Sequence, residues 1–179
     1  MEYFTNDFET DCMILYNYVD NLKLHRVNNR ANINGGIKPL SNIYGTTKWG
    51  YVKTKNSIVH KEPCPEGGFY TKLRTENPEY EEIFREFTNL YIPDFSYNQI
   101  VINKNFEVKP HKDASNVGVS YIIGLGEYEG GELVIDKETC RREVNIKNKF
   151  YSFNGSEITH WVKPFSGDRY SLVFYNSEV

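Results

Sequence analysis

From residue 97 onward the chain breaks into short β-rich runs, at 97–102, 117–123, 132–135, 150–153, 158–162 and 170–175. Turn formers separate them: Asn103-Lys104-Asn105, Gly130-Gly131, Asn154-Gly155 and Ser166-Gly167. Glycine and asparagine accept the positive φ that tight reversals need, so closely spaced strands with such turns predict an antiparallel sandwich or barrel. Little else fits this half. It has no helical periodicity and no repeat, and the strands follow too closely for crossover helices to join them in parallel.

The N-terminal half reads differently. Residues 7–22 carry Phe8, Met13, Ile14, Tyr18 and Leu22 at helical spacing, with Asp7 or Asn6 as the cap. Residues 77–91 predict a second helix, with Asn77 as its cap, Pro78 at its first position and Glu79, Glu81 and Glu82 complementing the N-terminal dipole. Tyr80, Ile83, Phe84, Phe87 and Leu90 form its apolar stripe. Between the helices, residues 25–70 are rich in Asn, Gly and Lys, with strand-like pieces only at 49–53 and 68–72. This predicts a long irregular insertion, a kind of segment that is usually functional or mobile. The expected fold class is α+β, with N-terminal helices packed on a β-sandwich. The 179 residues are expected to form one domain, with 1–96 as helices and substrate loop and 97–179 as β core.

Charge is unevenly spread. The net charge of -3 argues against a uniformly basic nucleic-acid binder. Yet residues 21–61 hold eight bases (Lys23, Arg26, Arg30, Lys38, Lys48, Lys53, Lys55, Lys61) and no acid, between two stretches of -5. Such asymmetry marks either a polyanion site or a solvated lysine-rich face. The longest uncharged run, 114–126, is too short and too polar to span a membrane. The acidic N-terminus lacks the pattern of a secretory signal. Cys12, Cys64 and Cys140 show no CxxC spacing, so an intracellular reducing compartment is expected.

The chemistry concentrates in the β-rich half. In Pro110-His111-Lys112-Asp113, the imidazole and carboxylate are two residues apart, which places them on one face of extended chain. A third ligand from another strand completes a two-His-one-carboxylate set, which leaves positions open on Fe(II). His160 is the candidate. Nine residues later Arg169 and Ser171 again share a face, followed by the apolar run Leu172-Val173-Phe174-Tyr175. A guanidinium in a half-buried strand needs an anionic partner, and its fork suits a carboxylate. That partner is either a bound acid or a neighbour such as Asp168 or Asp136.

Together, His111-x-Asp113, His160 and Arg169-x-Ser171 resemble the Fe(II)/2-oxoglutarate dioxygenase superfamily, whose core is a double-stranded β-helix (jelly-roll). The resemblance implies that His111, Asp113 and His160 hold Fe(II). It also implies that Arg169 clamps the far carboxylate of 2-oxoglutarate, with Ser171 and Asn103 assigned to the same cofactor set. O2 would split the keto acid into succinate and CO2 while a C–H bond is oxidised. The segment Arg169 to Tyr175 further resembles the TET/JBP branch of methylpyrimidine dioxygenases. Asn116, three residues after Asp113, matches a base-contacting Asn of that pattern, and an amide can both donate to and accept from a pyrimidine edge. It also reads as a turn residue before Val117-Gly118.

One departure stands out. That branch carries a His shortly after its Phe-Tyr, where this chain has Asn176-Ser177, which leaves thymine or another target open beside 5-methylcytosine. Arg26 and Arg30, with Tyr44, Trp49 and the lysines of 21–61, are the expected substrate contacts, because aromatics interleaved with cations suit bases and phosphates. The expected partner is therefore nucleic acid, most simply DNA, bound by a monomer. Two alternatives share these residues: a prolyl or lysyl protein hydroxylase with the same iron site, and a β-sandwich binding module whose His and Asp are incidental.

Overall fold

The computed structural model describes residues 2–178. The chain opens with α1 (Phe8–Asp20), whose cap is Asp7: its carboxylate accepts from the Thr10 backbone N–H at 3.0 Å. A 3-10 turn follows at Ala31–Ile33, then β1 (Leu40–Thr47), β2 (Tyr51–Lys53), β3 (Ile58–His60) and β4 (Phe69–Tyr70). Next come α2 (Lys72–Glu76), α3 (Tyr80–Tyr91) and β5 (Gln99–Lys104). The remaining strands are β6 (Asn116–Leu125), β7 (Tyr128–Gly130), β8 (Leu133–Lys137), β9 (Cys140–Val144), β10 (Tyr151–Phe153), β11 (Thr159–Val162), β12 (Phe165–Gly167) and β13 (Tyr170–Ser177).

Six strands form the main sheet in the order β10-β6-β13-β5-β1-β4, antiparallel throughout. Smaller sheets, β11-β8-β9 and β12-β7, complete the jelly-roll, while β2 and β3 pair only with each other. Because side chains alternate along a strand, the main sheet has two distinct faces. One face carries Tyr44, Ile100, Ile102, Ile123, Leu172 and Phe174, buried against Leu15, Val19, Ile83, Phe84 and Phe87 of the helices. The other carries Val101, Ile122 and Val173, together with Phe153 of β10, packed in one cluster with Leu133 and Ile135 of β8 and with Ile146.

Three expectations are corrected. Residues 25–70 are less irregular than their composition predicts, since β1 adds to the main sheet alongside β5 from Leu40↔Lys104 to Gly45↔Gln99. Gly45 is required there: at φ +142°, a Cβ would lie 2.2 Å from the Asn98 carbonyl oxygen. Secondly, Asn77 does not open the long helix. It closes α2, with its side-chain amide donating to the Leu73 carbonyl at 3.0 Å. Pro78 disfavours helical geometry in the residue before it, so Asn77 leaves the helix and α3 starts only at Tyr80. Thirdly, Asn103 lies in β5 rather than in a turn. The reversal comes at Asn105, which takes φ +48°.

Candidate metal centre and adjoining cavities

His111 and His160 face each other across an isolated antiparallel bridge, closed by two backbone hydrogen bonds of 3.1 and 3.0 Å. Asp113 follows two residues on, its backbone N–H donating to the Gly155 carbonyl at 2.8 Å. One backbone ladder thus positions all three side chains. Asp113 Oδ1 lies 3.3 Å from His111 Nε2, and Oδ2 lies 3.1 Å from His160 Nε2. The three ligand atoms all lie within 4.8 Å of one another.

The far side of each ring sets its tautomer. His111 Nδ1 lies 2.7 Å from the Lys109 carbonyl oxygen, and His160 Nδ1 lies 2.8 Å from that of Ile158. A carbonyl only accepts, so each Nδ1 holds its proton and donates. Each Nε2 is then left with a lone pair directed at the same point, an arrangement usual for metal-bound histidines. Two imidazole lone pairs and a carboxylate converging on one point fit a divalent cation such as Fe(II), with further coordination positions open. Burial pushes the Asp113 carboxyl up, but hydrogen bonds and charge from the two imidazoles, when protonated on Nε2, outweigh it and hold the group well below the usual carboxylate range.

The site-facing side of the main sheet carries a polar row beside this centre. Ser41, Asn103 and Ser171 are in register across β1, β5 and β13. The Ser41 hydroxyl donates to Asn103 Oδ1 at 2.6 Å, and Asn103 Nδ2 donates to Ser171 Oγ at 3.1 Å. With its lone pair so engaged, the Ser171 hydroxyl keeps its own proton to donate. Asn103 and Ser171 wall a cavity of about 40 Å³ together with His111, Asp113 and His160.

Arg169 lies one residue before β13 and is 1% exposed. Neither aspartate suggested by the sequence pairs with it: Asp168 accepts from Asn105 Nδ2 at 3.3 Å, and Asp136 pairs with Arg141 at 3.2 Å. The guanidinium lies against the rings of both Tyr128 and Phe165, 5.3 and 5.5 Å from their centroids, and donates to the Gly131 carbonyl at 3.0 Å. Gly131 is needed for this fit, since a Cβ there would lie 2.8 Å from Arg169 Nε. Burial pulls the guanidinium below its ordinary value. Its Nε and the Tyr128 hydroxyl are buried without a hydrogen-bond partner among the described residues. Orphaned donors on a buried cation are costly, and a carboxylate is the acceptor that would satisfy them.

A second cavity, of about 430 Å³, shares Arg30 and Val101 as walls with the first. Arg30 Nη2 lies 4.0 Å from Asp113 Oδ1, and its Nε is also buried without a partner among the described residues. Gln99 and Tyr175 wall this cavity from the sheet, while Trp49, Val52 and Lys61 wall it from the acid-free segment.

The structure therefore brings His111, Asp113, His160, Asn103, Ser171 and Arg30 together, and buries Arg169 immediately before the strand that carries Ser171. It does not bring Tyr44, Arg26 or Asn116 to either cavity: Tyr44 is buried against the helices, with its hydroxyl donating to the Asn77 carbonyl at 2.8 Å. Arg26 is exposed, and its guanidinium donates to the Lys38 carbonyl at 2.8 Å. Asn116 Nδ2 donates to Ser120 Oγ at 3.4 Å, and its backbone N–H closes a turn onto the Asp113 carbonyl. Sequence reasoning missed Ser41 and Tyr128. Only the pairing of β1 brings in Ser41. Tyr128 had a usable signal, a lone aromatic just before the Gly130-Gly131 turn.

No family model matches the chain, and no curated protein matches it. Solved structures do. NgTET1 in complex with 5mC DNA superposes with a TM-score of 0.53 at 15% identity, covering 93% of this chain and 68% of that one. A 2OG-Fe(II) oxygenase family oxidoreductase from Burkholderia pseudomallei gives 0.54 at 17%, covering 91% and 77%. A prolyl-4-hydroxylase from Pseudomonas putida gives 0.51 at 14%, covering 99% and 90%. At these identities the likeness establishes a shared jelly-roll fold.

Proposed function

We propose that this chain is an Fe(II)- and 2-oxoglutarate-dependent dioxygenase that oxidises the 5-methyl group of a pyrimidine base, 5-methylcytosine or thymine, in nucleic acid. The observation that carries the reading is the convergence of His111, Asp113 and His160 on one point, on a jelly-roll shared with NgTET1 and two other oxygenases. When bound, the iron and 2-oxoglutarate supply O2 activation: the keto acid leaves as succinate and CO2, one oxygen atom going to succinate and the other to the methyl carbon.

The protein's own contribution is positioning. The carbonyls of Lys109 and Ile158 hold both imidazoles in the metal-binding tautomer. Arg169, Ser171 and the Tyr128 hydroxyl supply donors for the distal carboxylate of 2-oxoglutarate, and Asn103 orients Ser171. Arg30 stands between the metal ligands and the larger cavity, where its guanidinium faces the acceptor edge of a flipped base. The acid-free segment walls that cavity, which favours a polyanionic substrate.

The second reading, hydroxylation of a prolyl or lysyl residue in a protein, uses the same metal and carboxylate sites. The coverage of the prolyl-4-hydroxylase, 99% of this chain and 90% of that one, favours it. Mass spectrometry of nucleosides separates the two readings, after incubation of oligonucleotides containing 5-methylcytosine and thymine with Fe(II) and 2-oxoglutarate. The expected result is a hydroxymethyl base formed in step with succinate. Absence of any oxidised base, with succinate release driven instead by a proline-containing peptide, would replace the first reading by the second.

A further inference from the structure

The β2–β3 hairpin is the least protected part of the molecule, and all ten residues from Tyr51 to His60 are exposed. Its strands pair only with each other, through Tyr51↔His60, Val52↔Val59 and Lys53↔Ile58. The attachment is at its base. The Lys61 backbone N–H donates to the Gly50 carbonyl at 2.9 Å, and Gly50 sits against the Phe69 ring, where a Cβ would meet ring carbon at 2.7 Å. Among the described residues, the segment 51–60 makes no hydrogen bond or strand pairing outside the hairpin itself.

An isolated two-stranded hairpin in water is marginally stable at best. This one nonetheless exposes large apolar side chains together: Trp49 at 62%, Ile58 at 56%, Val59 at 52%, and Tyr51 and Val52 at 47%. Pairing puts Val52 and Val59 on one face of the hairpin and Tyr51 and Ile58 on the other, and exposed apolar side chains gathered on one small element mark a contact site. The charge around it specifies the partner. Lys53 lies on the hairpin, Lys55 at its tip and Lys61 at its base, with no Asp or Glu anywhere from residue 21 to residue 61. Cations interleaved with exposed aromatics match a flexible polyanion whose units also present flat apolar faces. The location matches too, because Trp49, Val52 and Lys61 wall the large cavity beside the metal ligands.

From these observations we infer that the β2–β3 hairpin grips single-stranded nucleic acid flanking the target base. Lys53 and Lys55 contact phosphates, and Trp49 and Tyr51 stack on neighbouring bases. The inference rests on the nucleic-acid reading above and names the element that holds the strand.

The test is fluorescence anisotropy of a labelled single-stranded oligonucleotide, titrated with protein loaded with Mn(II) and 2-oxoglutarate over a series of salt concentrations. For K53A/K55A, the slope of log affinity against log salt becomes less negative by about 1.4, at about 0.7 per lost phosphate contact. W49A/Y51A weakens binding roughly tenfold or more, the scale of a lost base–aromatic stack. Both variants bind 2-oxoglutarate as the parent does, since the hairpin holds none of its ligands. Unchanged affinity and slope in both variants would overturn the hairpin assignment and leave the dioxygenase reading intact. Equal displacement of the oligonucleotide by a poly-glutamate peptide would overturn the choice of nucleic acid as partner. A parent protein that binds no oligonucleotide, yet releases succinate with a peptide, would overturn both.

Discussion

The two faces of the main sheet are built from the same strands in the same register, yet they do different work. On the helix side, Tyr44, Ile100, Ile102, Leu172 and Phe174 are at most 1% exposed and lie against an aromatic-rich layer. On the other side, the intervening positions run Ser41–Asn103–Ser171, then the apolar row Ile43–Val101–Val173, then Gly45–Gln99–Tyr175, with hydrogen bonds across strands within the two polar rows. The first face supplies burial, which is non-directional and tolerates any close-packed filling. The second supplies directed donors and acceptors, which work only in one register. Slipping β1 or β13 by a single residue would exchange the faces and lose both. The fold is stabilised on one side so that polar groups can be held in place on the other.

Substitutions on either side sharpen that contrast. The largest effect is expected from Asp113→Ala or His160→Ala, which remove a converging ligand: succinate formation falls to background and Mn(II) binding weakens, both read directly by assay and titration. Next is Phe174→Ala on the helix side. This ring is fully buried against Tyr97 and Phe150, and its truncation should cost about 3–5 kcal/mol in denaturant unfolding. The KM for 2-oxoglutarate should not move in the protein that remains folded. Ser171→Ala should weigh the other way: leaving Asn103 Nδ2 without its acceptor costs only about 1–3 kcal/mol of stability. The KM for 2-oxoglutarate rises roughly tenfold, as expected for loss of one hydrogen bond to a charged group. If Phe174→Ala raised that KM and Ser171→Ala unfolded the protein, the division of labour would be wrong.

The smallest effect is one of pH. Burial raises the Asp11 carboxyl, but the Tyr91 hydroxyl and the donors of Thr5 and Asn6 outweigh it, so the group sits below its ordinary value. A lowered carboxyl contributes stability that is present above the unfolded-state value near 4 and is lost as the pH falls through the folded-state value. Urea unfolding at pH 5 and pH 3 should therefore show a smaller loss for Asp11→Asn than for the parent, although the variant is less stable at pH 5. An equal loss in both would remove Asp11 from the acid response.

Where the placement of side chains depends on local spacing, it was legible in the sequence. His111 and Asp113 are two residues apart, and Arg169 and Ser171 likewise, so extended chain alone puts each pair on one side. The helix-side strands were legible because β-branched and aromatic residues crowd 100–102 and 170–175. What sequence could not show depends on long-range register. β1 escaped notice because Ser41 and Gly45 interrupt its apolar pattern, and they do so because they serve the site face. Tyr128 reaches Arg169 only through a turn and a separate two-stranded sheet. Asn116 and Arg26 were placed by motif and by charge alone, and their side chains bond elsewhere.

The account turns on the buried guanidinium of Arg169 and the metal ligands forming one site for a metal-bound keto diacid. Calorimetric titration of 2-oxoglutarate into the Mn(II)-loaded protein tests this most directly, alongside the same titration of Arg169→Met, which keeps much of the buried volume without the charge. The predicted result is one molecule bound per chain, only when metal is present, with binding lost in the variant. Failure of the metal-loaded parent to bind 2-oxoglutarate, or equal affinity in the variant, would contradict it.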